Sequence, residues 1–302
     1  MFSSKSGASR LTLAAVTGLI VMKVVVGVIT GSLSILAQAV DSFLDLLAVG
    51  ITVLAVRFAA RPADEGHPFG HGKAENVAAV TQAVLIFAAS GSIIYSAVQR
   101  IMKAASLEIT EAGIGVMAVS IIASIFLSRH LLRASRLTDS PALEANAHNI
   151  AADVYSAAAV LAGLVVVRFT GLSIVDPILA ILVALFILKV AYDVIKSSFG
   201  GLVDVKLPEA EEIIIGSAIR EHFGGEVVGF HRLRTRKAGS QRYIDLHLVM
   251  PKKVSLEEAH KMTDHLEQDI RHKLPRTDVT IHVEPCDETC DWCAFSCKMR
   301  KK

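Results

Sequence analysis

The chain has 302 residues, of which 52% are hydrophobic, and its mean hydropathy is +0.50. This composition excludes an ordinary soluble domain, and the chain is too long for a single span, so it predicts a polytopic membrane protein. The formal net charge of +2 gives no indication of a nucleic-acid partner. All four cysteines lie between Cys286 and Cys297, which argues against a secreted disulfide scaffold.

Six apolar stretches predict six transmembrane helices, because each is long enough to cross about 30 Å of hydrocarbon. They run over about 11–30, 33–58, 77–98, 112–131, 141–167 and 173–195. Lysines and arginines concentrate in the N-terminal segment and in the loops after the second and fourth stretches. This bias predicts a multi-pass protein of the cell (inner) membrane with both termini in the cytoplasm.

Two aspartates, Asp41 and Asp45, lie inside the second apolar stretch. Residues four apart share one face of a helix, so both carboxylates are expected to point the same way. An ionised carboxylate at membrane depth costs about 2.5–3.5 kcal/mol, and a divalent cation or protons would compensate this pair. The pattern indicates an ion pathway. A helix whose acids face a water-filled crevice or a partner helix is the structural alternative.

From residue 204 the composition becomes that of a soluble domain. The patterns predict, in order, a helix over 208–223, strands over 227–236 and 242–250, a helix over 255–274 and a strand over 278–284. The second helix opens with a capping box from Ser255 to Glu258. This order predicts a small α+β, ferredoxin-like cytoplasmic domain. The predicted divisions are a transport domain over 1–203, this domain over 204–285 and a cysteine-rich basic tail over 286–302.

Three segments carry a resemblance to a known family: T-G-S-L-S-I-L-A-Q-A-V-D-S-F-L-D, D-E-G-H-P-F-G-H-G-K-A-E and A-N-A-H-N-I-A-A-D-V. On these segments the chain resembles the cation diffusion facilitators, the family of proton-coupled divalent-metal exporters. The resemblance implies a homodimer with a six-helix membrane part in the lipid bilayer and a metallochaperone-like cytoplasmic domain. It also implies a transporter that works by alternating access, and no enzyme activity.

The resemblance implies a transport site shared by the second and fifth spans. The residues at its positions are Asp41, Asp45, Asn149 and Asp153. Zinc-type members have histidine where Asn149 stands, and the adjacent His148 is rotated by about 100° on a helix, so it serves only if the fifth helix shifts by one residue. Carboxylate and amide oxygens favour Mn²⁺ or Fe²⁺ over Zn²⁺. Gln38 would supply a further oxygen or make a helix-packing hydrogen bond.

Two further metal sites are implied by the same resemblance. In the loop after the second span, Asp64, His67 and His71 match an interfacial site, the alternative being a loop held by its own polar contacts. In the cytoplasmic domain the matching residues are His231, His247, His260, His282 and Glu284. Metal bound there would make the domain a sensor as well as a dimeriser, although histidines on a strand are often ordinary surface residues. Lys73 and Asp204 are predicted to form a charge pair between the two domains.

The C-terminal tail has the spacing C-x3-C-x2-C-x3-C. Its thiols belong to Cys286, Cys290, Cys293 and Cys297. Four thiolates are enough for one tetrahedral Zn²⁺ or for an iron–sulfur cluster. The alternative is a disordered tail with free thiols, and a soft-metal tail conflicts with a transport site made of hard oxygen ligands.

Other functions fit parts of the pattern. The first is a Zn²⁺ or Cd²⁺ exporter of the same family, and the second is a metal-sensing membrane scaffold that has lost transport. A third is an intramembrane aspartyl protease, in which two acids act as a dyad. Two acids on one helix and a histidine-rich soluble domain disfavour the protease.

Overall fold

The computed structural model describes residues 5–30, 33–103, 111–170, 174–223 and 227–286. The chain divides into two compact units, Met1–Gly200 and Gly201–Lys302, which are described in turn.

Six long helices make up the first unit. They are α1 (Lys5–Thr30), α2 (Leu33–Ala59), α3 (Lys73–Lys103), α4 (Glu111–Thr138), α5 (Pro141–Thr170) and α6 (Val175–Leu202). Among the described residues, α1, α3, α4 and α6 each contain a segment long and apolar enough to cross a membrane. The described parts of α2 and α5 contain no such segment, and these two helices carry the aspartates of the predicted transport site. The first unit is therefore a helical transmembrane domain, and the count of six spans stays a prediction.

An apolar cluster in this unit joins four helices, α1, α2, α4 and α5. Its fully buried members include Ala8, Val49, Leu131 and Leu143. A smaller cluster joins α3, α5 and α6 through Ala79, Ala83, Ala145 and Val194. Small side chains let helices approach closely where lipid provides no hydrophobic driving force.

Buried polar side chains tie α3 to its neighbours. Gln82 donates to Thr52 in α2, and Asn76 Nδ2 donates to the Ser198 carbonyl in α6 at 3.1 Å. The Ser140 hydroxyl, just before α5, donates to the Glu75 carboxylate. A polar group taken out of water is costly unless it is hydrogen-bonded, so these contacts fix α3 against α2, α5 and α6.

The second unit is a sheet of three strands covered on one face by two helices. Its elements are α7 (Glu209–Arg220), β1 (Gly229–Ala238), β2 (Gln241–Met250), α8 (Leu256–Lys273) and β3 (Thr277–Pro285). The strand order is β1-β2-β3, with β1 and β2 antiparallel and β2 and β3 parallel. The β1–β2 hairpin turns at Gly239, whose φ of +60° suits glycine. A parallel pair needs a crossover, and α8 supplies it.

The core of the second unit lies between the sheet and the two helices. Its fully buried side chains include Ile215, Ile219, Ile244, Leu246, Leu248, Leu266 and Ile270. Alternate residues of β2 point to the opposite face, which α7 and α8 do not cover. The predicted capping box is confirmed: Ser255 Oγ accepts from the Glu258 amide at 3.2 Å, and Glu258 Oε2 accepts from the Ser255 amide at 2.9 Å. The arrangement is a domain of sheet and helices, and the ferredoxin-like label stays a prediction.

Candidate metal sites

The second and fifth helices meet at a polar contact between Asp45 and Asn149. Asn149 Nδ2 donates to Asp45 Oδ1 at 3.3 Å, and both side chains are half-buried. The two residues are 104 positions apart in the chain. The contact joins two of the four residues of the predicted transport site. A 180° turn of the amide group exchanges its nitrogen and oxygen, so the same side chain can offer an oxygen to a cation.

Of the remaining predicted transport residues, the structure describes the side chain of Asp153 but not those of Gln38 and Asp41. Asp153 follows Asn149 by four residues on α5, so it shares that helix face, and its side chain is exposed. Gln38 and Asp41 lie on α2, but their side chains are outside the described part of the chain. The four-residue site therefore stays a prediction.

The loop between α2 and α3 brings Asp64, His67 and His71 together. Asp64 Oδ1 accepts from the His67 amide at 2.7 Å and lies 3.0 Å from His67 Nδ1, while Asp64 Oδ2 lies 3.2 Å from His71 Nε2. Gly70, with a φ of +75°, turns the chain back between the two histidines. The three ligand atoms lie within 4.8 Å of one another, so the group could hold a metal ion.

The electrostatics of this loop suit a cation. The hydrogen bond from the His67 side chain holds the pKa of Asp64 below its ordinary value, so the carboxylate is ionised. The His71 side chain is only 3% exposed and packs edge-on against Phe58. Its buried Nδ1 has no hydrogen-bond partner within the described residues. Two imidazoles and one carboxylate are the donor set of many zinc sites.

A second cluster lies on the uncovered face of the cytoplasmic sheet. The strand register places His247 opposite His231 in β1 and opposite His282 in β3. Directly after His231 the register shifts, and Arg232 has a φ of +48°, so a β-bulge lies beside the cluster. Glu284, two residues beyond His282, points to the same face.

Glu284 joins the histidines of this cluster. Its Oε1 lies 2.6 Å from His247 Nδ1, and its Oε2 lies 2.9 Å from His231 Nε2. His282 Nε2 is farther, at 3.7 Å from Oε1. The hydrogen bonds from His247 and His231 hold the pKa of Glu284 below its ordinary value. His231, His247 and Glu284 form a three-ligand group of metal-site dimensions, with His282 beside it.

The other predicted residues lie apart from these groups or outside the described chain. His260 is exposed on α8, with its Nε2 3.6 Å from Asp264 Oδ2. Cys286 is buried at the end of β3, where its amide donates to the Met250 carbonyl at 2.7 Å. The other three tail cysteines, Cys290, Cys293 and Cys297, lie outside the described residues.

The charge pair of Lys73 and Asp204 was predicted to span the two domains. Within the second unit, Asp204 Oδ2 lies 3.5 Å from Arg236 Nη1. The pair with Lys73 stays a prediction.

The sequence pattern missed a third group in the described chain: His222, His265 and Asp269. The only signal for it was the four-residue spacing of His265 and Asp269 on α8. His222 comes from another element, after α7, and only the packing of the two helices brings it near.

The described part of the chain combines long apolar helices with compact histidine–carboxylate groups that could hold metal ions. Two family models match the chain: "Cation efflux transmembrane domain" over residues 9–203 and "Cation efflux protein, cytoplasmic domain" over residues 207–286. The chain belongs to the cation efflux family, the cation diffusion facilitators, which are membrane transporters. The short name of the second family model is ZT_dimer, which indicates that this domain dimerises.

Individual relatives agree with this assignment. The chain is 34% identical over 288 residues to the cation-efflux pump FieF of Pectobacterium atrosepticum, covering 92% of this chain and 94% of that protein. A solved structure of CzrB in its zinc form is 36% identical, covers 29% of this chain and 98% of that one, and has a TM-score of 0.27. The metal-bound C-terminal domain of the CzcD transporter from Thermotoga maritima is 29% identical, covers 26% and 94%, and has a TM-score of 0.24. Because these TM-scores are low, the assignment rests on the family models and on FieF.

Proposed function

We propose that this cation efflux transporter exports a divalent transition metal from the cytoplasm in exchange for protons, with Mn²⁺ or Fe²⁺ as the favoured cargo. The observation that supports this proposal is the 3.3 Å contact between Asn149 and Asp45, which joins α5 to α2 at polar residues inside the helical unit. Intramembrane carboxylates are costly to keep, and their usual role is in ion pathways.

The donor set decides the preferred metal. Asp41, Asp45 and Asp153 would offer carboxylate oxygens and Asn149 an amide oxygen. Hard oxygen ligands suit Mn²⁺ and related ions that accept six ligands, whereas Zn²⁺ favours nitrogen and sulfur in a tetrahedral site. Gln38 would complete a six-coordinate site from the same face of α2.

Protons would drive release because they compete with metal for the same carboxylates. Three carboxylates around one dication leave excess negative charge, which protons neutralise once the metal has left. Loading from the cytoplasm and release on the other side require alternating access in a lipid bilayer. We place the chain in the inner membrane, with both termini in the cytoplasm.

Two of the histidine–carboxylate groups would hold resident metal. They are the loop cluster (Asp64, His67 and His71) and the sheet cluster (His231, His247 and Glu284). Each combines two histidines with one carboxylate, a donor set that fits Zn²⁺ with a fourth position open to water or to another ligand. In a homodimer, metal at the sheet cluster would favour one arrangement of the two cytoplasmic domains. The tail cysteines would bind Zn²⁺ or an iron–sulfur cluster.

Export of Zn²⁺ or Cd²⁺ is the second candidate. The nitrogen-rich loop and sheet clusters favour it, since they suit zinc better than manganese.

Flux measurements with purified protein in proteoliposomes test the proposal. With an imposed pH gradient, Mn²⁺, Fe²⁺, Zn²⁺ and Cd²⁺ would be compared at equal free concentration. We expect Mn²⁺ or Fe²⁺ to move fastest. Fast Zn²⁺ and Cd²⁺ flux with little Mn²⁺ flux would establish the second candidate, and no flux of any metal would leave a metal-sensing scaffold.

A further inference from the structure

The third ligand group lies in the helix layer of the cytoplasmic unit. His222 follows the C-terminal end of α7, and His265 and Asp269 lie one turn apart on α8. Their ligand atoms all lie within 4.8 Å of one another. We propose that these three side chains form a further binding site for a borderline divalent cation of the Zn²⁺ class. This inference does not depend on the transport proposal.

Asp269 is the centre of the group. Its Oδ2 lies 2.9 Å from His222 Nε2 and 3.7 Å from His265 Nε2. Zinc holds nitrogen and oxygen ligands at about 2.0–2.2 Å in a tetrahedron, which places neighbouring ligand atoms about 3.4 Å apart. The two observed separations lie on either side of that value. Both carboxylate–imidazole separations are therefore compatible with a shared ion after small side-chain movements.

The imidazole rings of His222 and His265 pack edge to face. Their ring centroids are 5.2 Å apart and their planes meet at 85°. The His222 side chain is 15% exposed and that of His265 is 60% exposed. One ligand is thus an anchored, half-buried group and the other faces solvent, which provides an entry path for the ion and a fourth position for water.

This group is distinct from the sheet cluster. In β2, Leu246 and Leu248 point into the core beneath the helices, whereas His247 points to the opposite face. A metal ion bound by His222 and His265 lies on the helix side of the sheet. The sheet cluster therefore cannot supply its ligands.

Bound metal would fasten the end of α7 to α8. An ion pair already joins the same two elements, with Lys273 Nζ 2.7 Å from Glu221 Oε2. The amide of His222 donates to the Ile219 carbonyl at 3.2 Å, which continues the last turn of α7. A cation between His222 and α8 would hold that turn closed, so metal binding would become visible as local protection from solvent.

Counting bound zinc tests the site. The full-length protein would carry His67→Ala and His247→Ala, which weaken the loop and sheet clusters, and would be dialysed against buffered Zn²⁺ before metal analysis. We expect His265→Ala to remove about one zinc per chain, since it takes away one of three ligands. The matched control is His272→Ala, an exposed histidine about 10.5 Å farther along α8. Equal zinc content with and without His265, or an equal loss in the control, would overturn the proposal.

A second variant separates metal binding from a purely structural hydrogen bond. Asp269→Asn keeps a hydrogen-bonding partner for His222 but removes the anionic oxygen. We expect zinc affinity to fall at least about tenfold. Hydrogen exchange of the segment 217–223 should slow on adding Zn²⁺ in the parent protein, and should not respond in Asp269→Asn or His265→Ala. Unchanged affinity, or the same zinc-dependent protection in all three proteins, would contradict the site.

Discussion

The predicted transport site between α2 and α5 and the histidine–carboxylate groups of the cytoplasmic unit differ in the chemistry of their candidate ligands. In the helical unit the polar contact between α2 and α5 joins a carboxylate to an amide, Asp45 to Asn149. In the cytoplasmic unit each three-residue group has two imidazoles for one carboxylate. A transport site must release its ion, and oxygen ligands that protons can titrate suit that task. A resident site must keep its ion, and imidazole ligands bind borderline metals more firmly.

The largest effect is expected for Asp153→Ala, because this change removes a ligand and a proton carrier together. We expect the flux to fall at least about a hundredfold, which is equivalent to about 2.8 kcal/mol. Flux in proteoliposomes measures it. Asp193→Ala, an exposed aspartate of α6, is the matched control and should retain transport. Metal flux that survives in Asp153→Ala would remove this residue from the site.

The second largest effect is expected on metal selectivity, which depends on the ligand at position 149. Asn149→His brings an imidazole into the oxygen-rich contact, so the ratio of Zn²⁺ to Mn²⁺ flux should rise by about tenfold, or about 1.4 kcal/mol. Competition between the two metals in the same vesicles would measure that ratio. His148→Ala serves as the control and should leave selectivity as it is. A ratio that does not move in Asn149→His would show that Asn149 is no ligand.

A smaller effect on transport is expected from the sheet cluster. His247→Ala should lower the affinity of the cytoplasmic unit for zinc by at least about tenfold, since direct ligands matter no less than the groups that orient them. Flux should remain, because His247 is not part of the transport site. Zinc titration followed by calorimetry measures the affinity. If the variant binds zinc as tightly as the parent, the sheet cluster is only a hydrogen-bonded surface group.

The smallest effect is expected on the pH dependence of the stability of the fold. Because His247 and His231 lower the pKa of Glu284 in the folded protein, its ionised form stabilises the fold. This contribution is fully present above the ordinary glutamate pKa of about 4.3 and is lost as pH falls through the lowered value. Metal-free protein and Glu284→Gln should therefore differ in thermal unfolding near pH 6 and converge in strong acid. A difference that grows toward low pH would have the wrong sign.

The sequence predicted the helices and strands of the cytoplasmic unit better than it predicted the histidine–carboxylate groups. Helical and alternating patterns predicted the order of helices and strands in the cytoplasmic unit, and the Ser255 capping box was confirmed. The alignment of His231, His247 and His282 depends on strand register and on the bulge at Arg232. Periodicity does not define that register, and these residues were proposed through family resemblance.

The group at His222 shows the limit of pattern reasoning most clearly. His265 and Asp269 share a helix face, which is visible in the sequence, but a four-residue spacing of polar residues on an amphipathic helix usually marks a solvated surface. The third member comes from a different helix end. The apolar core that includes Ile215, Ile219, Leu266 and Ile270 brings the two helices together.

The most direct test of the account measures metal and proton movement together. Proteoliposomes with a pH-sensitive dye inside would receive Mn²⁺ outside, with the parent protein and with Asp45→Asn. The account predicts that Mn²⁺ entry is accompanied by proton exit in the parent, and that both movements are lost in Asp45→Asn because the carboxylate binds the two ions in turn. Metal flux without proton movement in the parent, or coupled flux that persists in Asp45→Asn, would contradict it.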